Sequence, residues 1–360
     1  MTAGGPALYS PARSEWLASH SEPILHPEIE IVDAHHHLWE RPGSIYLAED
    51  FAADASSGHK VIGSVFVDCR SRYRETGPEA LRPLGEVEFA DEVAEQSARG
   101  ELGQTGICAG IVGHADLTLG NAVRPVLEAE IAASQRFRGI RHRNAYHTDP
   151  TFHRPAVYCP PGLVLDSQFQ EGFACLEGLG LSFDAFLFFT QLEELAQLAR
   201  QFPKTSIVLN HLGTPLGVGV YRDRRDEVFA AWRNGLMQVA ACENVTVKLG
   251  GLGMTSAGFD FHERPSPPSS EDLAKTWGPY IETTIEAFGP SRSMFESNFP
   301  PDKSSCSYAV LWNAFKRMAQ PYSEGEVRQL FSGTASEVYA LDLRSSAGAT
   351  PAGPVPRSPE

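Results

Sequence analysis

Ile29-Glu30-Ile31-Val32-Asp33-Ala34-His35-His36-His37 decides the fold. Ile29–Ala34 is a short apolar run of the kind that forms a strand buried on both faces. An open doubly wound sheet that binds a dinucleotide would follow its first strand with GxGxxG. Here three histidines follow instead. Strand side chains alternate with period two, so His35 and His37 point one way and His36 the other. His36 therefore reads as structural.

Seven further runs of the same character lie downstream: Val61–Asp68, Gly106–Gly113, Phe137–Arg141, Leu181–Phe188, Ser206–Asn210, Val245–Leu249 and Ser293–Ser297. Amphipathic stretches separate them. In Gln191–Phe202, Leu192, Leu195, Leu198 and Phe202 recur at helical spacing, and Thr190-x-x-Glu193 reads as a capping box. Ser270–Phe288 carries Leu273, Trp277, Ile281 and Ile285 on one stripe and stops at Gly289-Pro290. Asp223–Ala241 and Ser304–Met318 read similarly. Eight strands alternating with helices predict an α/β fold, a (β/α)8 TIM barrel over 29–342. An irregular N-terminal lead-in (1–28) precedes it, and a Ser/Ala/Gly/Pro-rich disordered tail (343–360) follows.

The 360 residues carry a formal charge of −15, which disfavours nucleic acid and anionic membranes as partners. A small-molecule substrate is expected, and a homo-oligomer is left open. Residues 1–28 lack the apolar core of a secretory signal, and no run approaches the ~20 apolar residues of a membrane span. Six cysteines without CxxC or zinc-finger spacing read as reduced thiols of a cytoplasmic protein.

In such a barrel, chemistry sits at the C-terminal strand ends. His35 and His37 converge there and can share a divalent metal, bind an oxyanion, or act as acid and base. His211 ends Ile207-Val208-Leu209-Asn210 before a glycine turn and fits a third inward ligand. Arg141 and Arg143 share a face and suit bidentate binding of a carboxylate. Lys248 ends the seventh strand and could polarise a carbonyl. His262 and Arg264, in a loop beyond that strand, are candidates for substrate contact. Asp68, Glu86 and Glu296 are acidic options for a ligand or base.

The opening Asp33-Ala34-His35-His36-His37-Leu38-Trp39 resembles the amidohydrolase-related family. So do Ile207–Pro215, Val247-Lys248-Leu249-Gly250-Gly251-Leu252-Gly253-Met254 and Met294-Phe295-Glu296-Ser297-Asn298-Phe299-Pro300-Pro301-Asp302-Lys303. The likeness is to the lactonase-like branch of the amidohydrolase superfamily, which holds sugar lactonases and 2-pyrone-4,6-dicarboxylate lactonase. It implies a barrel hydrolase using His35, His37 and His211. Some members hold zinc or manganese on such histidines, and the pyrone type works without metal. It also implies that arginines at the end of the fourth strand contact substrate carboxylates.

The chain departs from the family pattern in three places. The customary Ser-Asp-Trp-Pro of the last strand, whose aspartate binds metal and takes a proton from water, is Ser297-Asn298-Phe299-Pro300 here. An amide cannot serve as that base, so Asp302 is expected to take the role, or the reaction needs none. Phe189-Thr190 replaces a His-Pro pair, with Thr190 read as a helix cap. Asn144-Ala145-Tyr146-His147 replaces an apolar-aromatic-acid pattern. The expectation is hydrolysis of a lactone or related cyclic ester. The alternative is a metal-dependent decarboxylase or hydratase of an aromatic or muconate-type acid, and a third reading is a non-catalytic binding protein.

Overall fold

The computed structural model describes residues 10–152 and 159–343. The tail expected to be disordered lies outside these residues, apart from its first position. Eight parallel strands follow in chain order: β1 (Glu30–His36), β2 (Lys60–Val67), β3 (Gly106–Gly113), β4 (Phe137–Arg143), β5 (Ser182–Phe186), β6 (Ile207–Leu209), β7 (Val245–Leu249) and β8 (Ser293–Phe295). Each pairs with the next. The ring is drawn shut by the chain just beyond β8, where Asn298 N donates to His35 O at 2.9 Å and His37 N donates to Phe299 O at 2.8 Å. The carboxylate of Asp33 reinforces that seam by accepting from Ser297 N and from the Tyr308 hydroxyl.

Helices alternate with the strands: α1 (Ala48–Ala55), α2 (Leu84–Ala98), α3 (Arg124–Ala133), α4 (Ser167–Leu179), α5 (Leu192–Gln201), α6 (Arg225–Ala240), α7 (Ser270–Phe288) and α8 (Tyr308–Met318). The stripe read in the sequence explains α7. Leu273, Trp277, Ile281 and Ile285 are all buried, and Ser269 with Asp272 closes a reciprocal capping box at its start. A hairpin pairing Trp39–Arg41 with Ser44–Tyr46, together with α1, was not read from the sequence.

The barrel interior is a packed core. Val32, Ala34, Val65, Val67, Val112, Val208 and Met294 fill it with Ala335 and Tyr339, which arrive from the C-terminal segment. Burying each larger aliphatic side chain there stabilises the fold by roughly 1.5–3 kcal/mol. All six cysteines are buried and unpaired. Among the described residues no helix is long and apolar enough to cross a membrane.

The capping box expected at Thr190 does not form. Phe189–Gln191 is a 3-10 turn, α5 begins at Leu192, and Thr190 is exposed. The neighbouring Gln191 makes no side-chain cap for α5 either and instead joins two strand ends. Its Oε1 accepts from Tyr146 N at 2.8 Å and its Nε2 donates to Asn144 O at 2.8 Å, which ties the ends of β4 and β5 together.

Candidate active site

His36 turns outward from β1, stacks on Phe51 at 4.0 Å between ring centroids, and shares a hydrogen bond with Ser64. His35 and His37 turn inward, and their Nε2 atoms lie 3.1 Å apart. His211 joins them from a different kind of backbone. β6 ends at Leu209, and the chain then enters left-handed geometry, with φ 53° at His211 and 56° at Leu212. Such conformations cost of order 1 kcal/mol or more each and persist only where packing enforces them. Trp232 Nε1 donates to Leu212 O and helps hold this turn. Gly251, itself at φ 73°, makes room for it: a Cβ there would lie 2.5 Å from His211 Cβ. Gly250 does the same for Glu296, whose Cγ would be 2.4 Å from an added Cβ.

Glu296, fully buried just beyond β8, joins the histidines. Its Oε1 accepts from His211 Nδ1 at 2.6 Å, and its Oε2 lies 2.9 Å from His35 Nδ1. Beneath them Lys248 Nζ is 2.7 Å from Asp184 Oδ2 and 3.4 Å from His35 Nδ1. Asp184 also accepts from Asn210 and from the Tyr339 hydroxyl. Burial, with the Lys248 cation close by, drives the His35 imidazole well below its ordinary value. Burial and then the Arg141 guanidinium do the same to His37. Both rings are therefore neutral.

This neutrality exposes a mismatch that a cation would relieve. His37 Nδ1 donates to Val67 O at 2.7 Å, so His37 Nε2 carries a lone pair. His35 has one N–H. If it sits on Nδ1, the His35 and His37 Nε2 lone pairs face each other. If it sits on Nε2, the Nδ1 lone pair faces the Lys248 ammonium at 3.4 Å but also, closer at 2.9 Å, Glu296 Oε2, an oxygen with no well-directed hydrogen bond. A divalent ion among these donors removes either repulsion, and imidazole nitrogens with a carboxylate oxygen suit zinc or manganese. His35, His211 and Glu296 bring ligand atoms within 4.8 Å of one another. The sequence reading grouped His35, His37 and His211. The structure joins Glu296 to His35 and His211, with His37 alongside.

Above the donors lies a pocket of about 90 Å³ lined by His37, His211, Arg141, Arg143, Asn298 and Phe186 among others. Both arginines expected there are present. Arg141 Nη2 donates to Asp68 O and its Nη1 lies 3.3 Å from His35 Nε2, while Arg143 Nη2 lies 3.7 Å from Asp68 Oδ2. Other expected residues go elsewhere. Asp302 stands behind Asn298: its Oδ1 accepts from Asn298 Nδ2 at 2.7 Å and its Oδ2 from Gly253 N at 2.8 Å. Burial pushes its carboxyl well above the usual range, and it is Asn298, not Asp302, that lines the pocket. Lys248 is sealed beneath the histidines rather than lining the pocket. His262 and Arg264 lie off it too: their carbonyls accept from Arg13, and Arg264 O also from Trp16, which anchors the short helix Ser14–Ala18. Asp184 was missed. A lone carboxylate in the apolar run Leu181–Phe188 was the signal that could have found it.

The family pattern for amidohydrolases matches residues 32–341. The chain belongs to the amidohydrolase family. This amidohydrolase is 32% identical over 339 residues to an uncharacterized protein, y4mH, of Sinorhizobium fredii, covering 87% of this chain and 99% of that one. It is 27% identical over 324 residues to an L-fucono-1,5-lactonase of Burkholderia multivorans, covering 86% and 96%. Among solved structures it resembles an amidohydrolase from Burkholderia multivorans at 25% identity and a TM-score of 0.67, covering 87% of this chain and 99% of that one. That protein has been seen with bound HEPES and with bound zinc. The amidohydrolase described here is accordingly an enzyme of the hydrolase class.

Proposed function

We propose that this amidohydrolase opens a lactone or related cyclic ester of a small carboxylated substrate by attack of water at the histidine pocket. The observation that carries this reading is the convergence of His35, His37, His211 and Glu296 directly beneath Arg141 and Arg143. Lactonase-named relatives support the reaction class.

His35, His211 and Glu296 would hold a zinc or manganese ion, which supplies Lewis-acid polarisation of the carbonyl and a more acidic water. The chain's own groups do the rest. Arg141 and Arg143 orient the substrate carboxylate by paired N–H donors. His37 is the proton acceptor we assign, at Nε2, because its Nδ1–H is fixed on Val67 O and the free lone pair is the one that faces His35 Nε2 at the floor of the pocket. Asn298, held by Asp302, presents its amide to the reacting group without competing for that proton.

The test measures metal content and acid release on a lactone panel, for the wild type and for His37→Asn. About one ion per chain, activity lost on chelation and restored by the metal, and a ~10²–10³-fold fall in kcat for His37→Asn with its metal retained are expected. Loss of the metal in that variant would make His37 a ligand and overturn its role as base. Full activity without metal would overturn the ion. One observation favours decarboxylation as the second reading: no Asp or Glu is among the described residues lining the pocket. Carbon dioxide release without lactone turnover would select it.

A further inference from the structure

The histidine pocket is too small to hold a whole substrate. Its roughly 90 Å³ falls well below the ~300–1,000 Å³ of typical small-molecule sites. Beside it, past Arg143, which lines both spaces, opens a cavity of about 750 Å³ over the ends of β2, β3 and β4. Apart from Arg143, which the two spaces share, no residue given a role in the activity proposed above lines it.

The lining of this cavity selects its occupant. Asp68, Glu79 and Asp116 face it together with Arg70, Arg82 and Arg143, so the formal charges cancel. A cavity built for an anion would carry an excess of guanidinium, and an apolar ligand would strip water from these charges without replacing its hydrogen bonds. A hydroxyl group is donor and acceptor at once and can pair with both signs. The hydrogen-bonding groups around these charges add to this pattern. His114 Nδ1 donates to Arg141 O at 2.9 Å, which leaves its Nε2 as an acceptor. Asp116 Oδ1 accepts from Thr118 N and Oγ1, and lies 3.6 Å from His142 Nε2. The near-parallel Tyr73 and His114 rings, with centroids 6.5 Å apart, add flat surface.

We propose that this cavity is a subsite for a polyhydroxylated extension of the substrate, a glycosyl or acyclic polyol group attached to the ring that reacts in the histidine pocket. The proposal rests on the lactone reading for what occupies that pocket, but the subsite itself can be tested without turnover.

Binding of glucono-1,5-lactone's product acid, of the same acid bearing a 4-O-glucosyl group, and of the corresponding dicarboxylic aldarate is measured by calorimetry on the full chain, with hydrolysis of the parent lactones followed in parallel. The glucosylated acid should bind at least tenfold more tightly than the simple acid. Asp116→Asn and the surface variant Glu79→Gln should each bring that ratio most of the way to one, with unchanged unfolding temperatures showing that the fold is intact. Equal affinity for the two acids, or a ratio untouched by both variants, would overturn the subsite whether or not the lactones turn over. Tighter binding of the aldarate than of the glucosylated acid would also overturn it, by making the cavity an anion site. Preferential glucosyl binding without hydrolysis of any lactone would uphold the subsite and count against the proposed reaction alone.

Discussion

Replacing Lys248 by Met removes the ammonium 2.7 Å from Asp184 Oδ2 and leaves that carboxylate in the barrel interior, met only by Asn210 and Tyr339. Both members of the pair are fully buried. Taking away one side of such a pair costs about 3–5 kcal/mol, because the remaining charge is uncompensated in a medium of low dielectric. At ~2.1 cal/mol/K per residue, a chain of 360 residues unfolds with an entropy of about 0.75 kcal/mol/K. The melting temperature of Lys248→Met should therefore fall by roughly 4–7 °C. The double variant Lys248→Met/Asp184→Asn removes both charges and should recover most of that loss, since a matched neutral pair carries no stranded ion. Scanning calorimetry at neutral pH reads both values. A single variant that melts within 1 °C of the wild type, or a double variant as unstable as the single, would refute the account of this pair as a buried, mutually compensating couple.

Gly251→Ala forces a Cβ into His211 at a backbone angle that favours glycine, so kcat/KM should drop at least ~10²-fold along with the melting temperature. Steady-state kinetics near wild-type values would show that His211 is free to move. Glu130 is buried with neither oxygen hydrogen-bonded, and burial pushes its carboxyl well above the usual 4.5. The folded state thus keeps a proton that the unfolded chain releases near 4.5, and stability from this group is lost as pH rises above that value. Glu130→Gln should then gain stability over the wild type more at pH 8 than at pH 5, and an equal difference in urea midpoint at the two pH values would contradict a protonated Glu130. Asp302→Ala should lower kcat about tenfold through loss of the hold on Asn298, while the acidic limb of the pH–rate profile survives. Disappearance of that limb would identify Asp302 as the base after all.

How far the sequence could be read depended on whether a feature was set within one element or between elements. Strands buried on both faces must be continuous apolar runs, so all eight were legible, with ends displaced by a few residues where the backbone turns left-handed, as at His211 and Asn298. The glycine stop and apolar stripe of α7 were equally local. So was the opposite orientation of His36 to His35 and His37, because a period of two holds over those three residues, past the register shift between Asp33 and His36. The resemblance in motif order led to the family to which the chain belongs.

Contacts between strand ends are set by barrel closure and loop geometry, and these were not legible. Glu296 reaches His211 across 85 residues, and Tyr339 reaches Asp184 across 155. Asp302 follows Asn298, whose φ of 50° breaks the alternation that would otherwise tell which way the next carboxylate faces. His262 and Arg264 turned out to secure the N-terminal helix, a role that depends on where residues 13–16 return in space. The sequence by itself determined the barrel and which residues gather at its mouth, since burial and periodicity act within each element. Only the tertiary structure decided which of those residues meet, because contact depends on how distant elements close on one another.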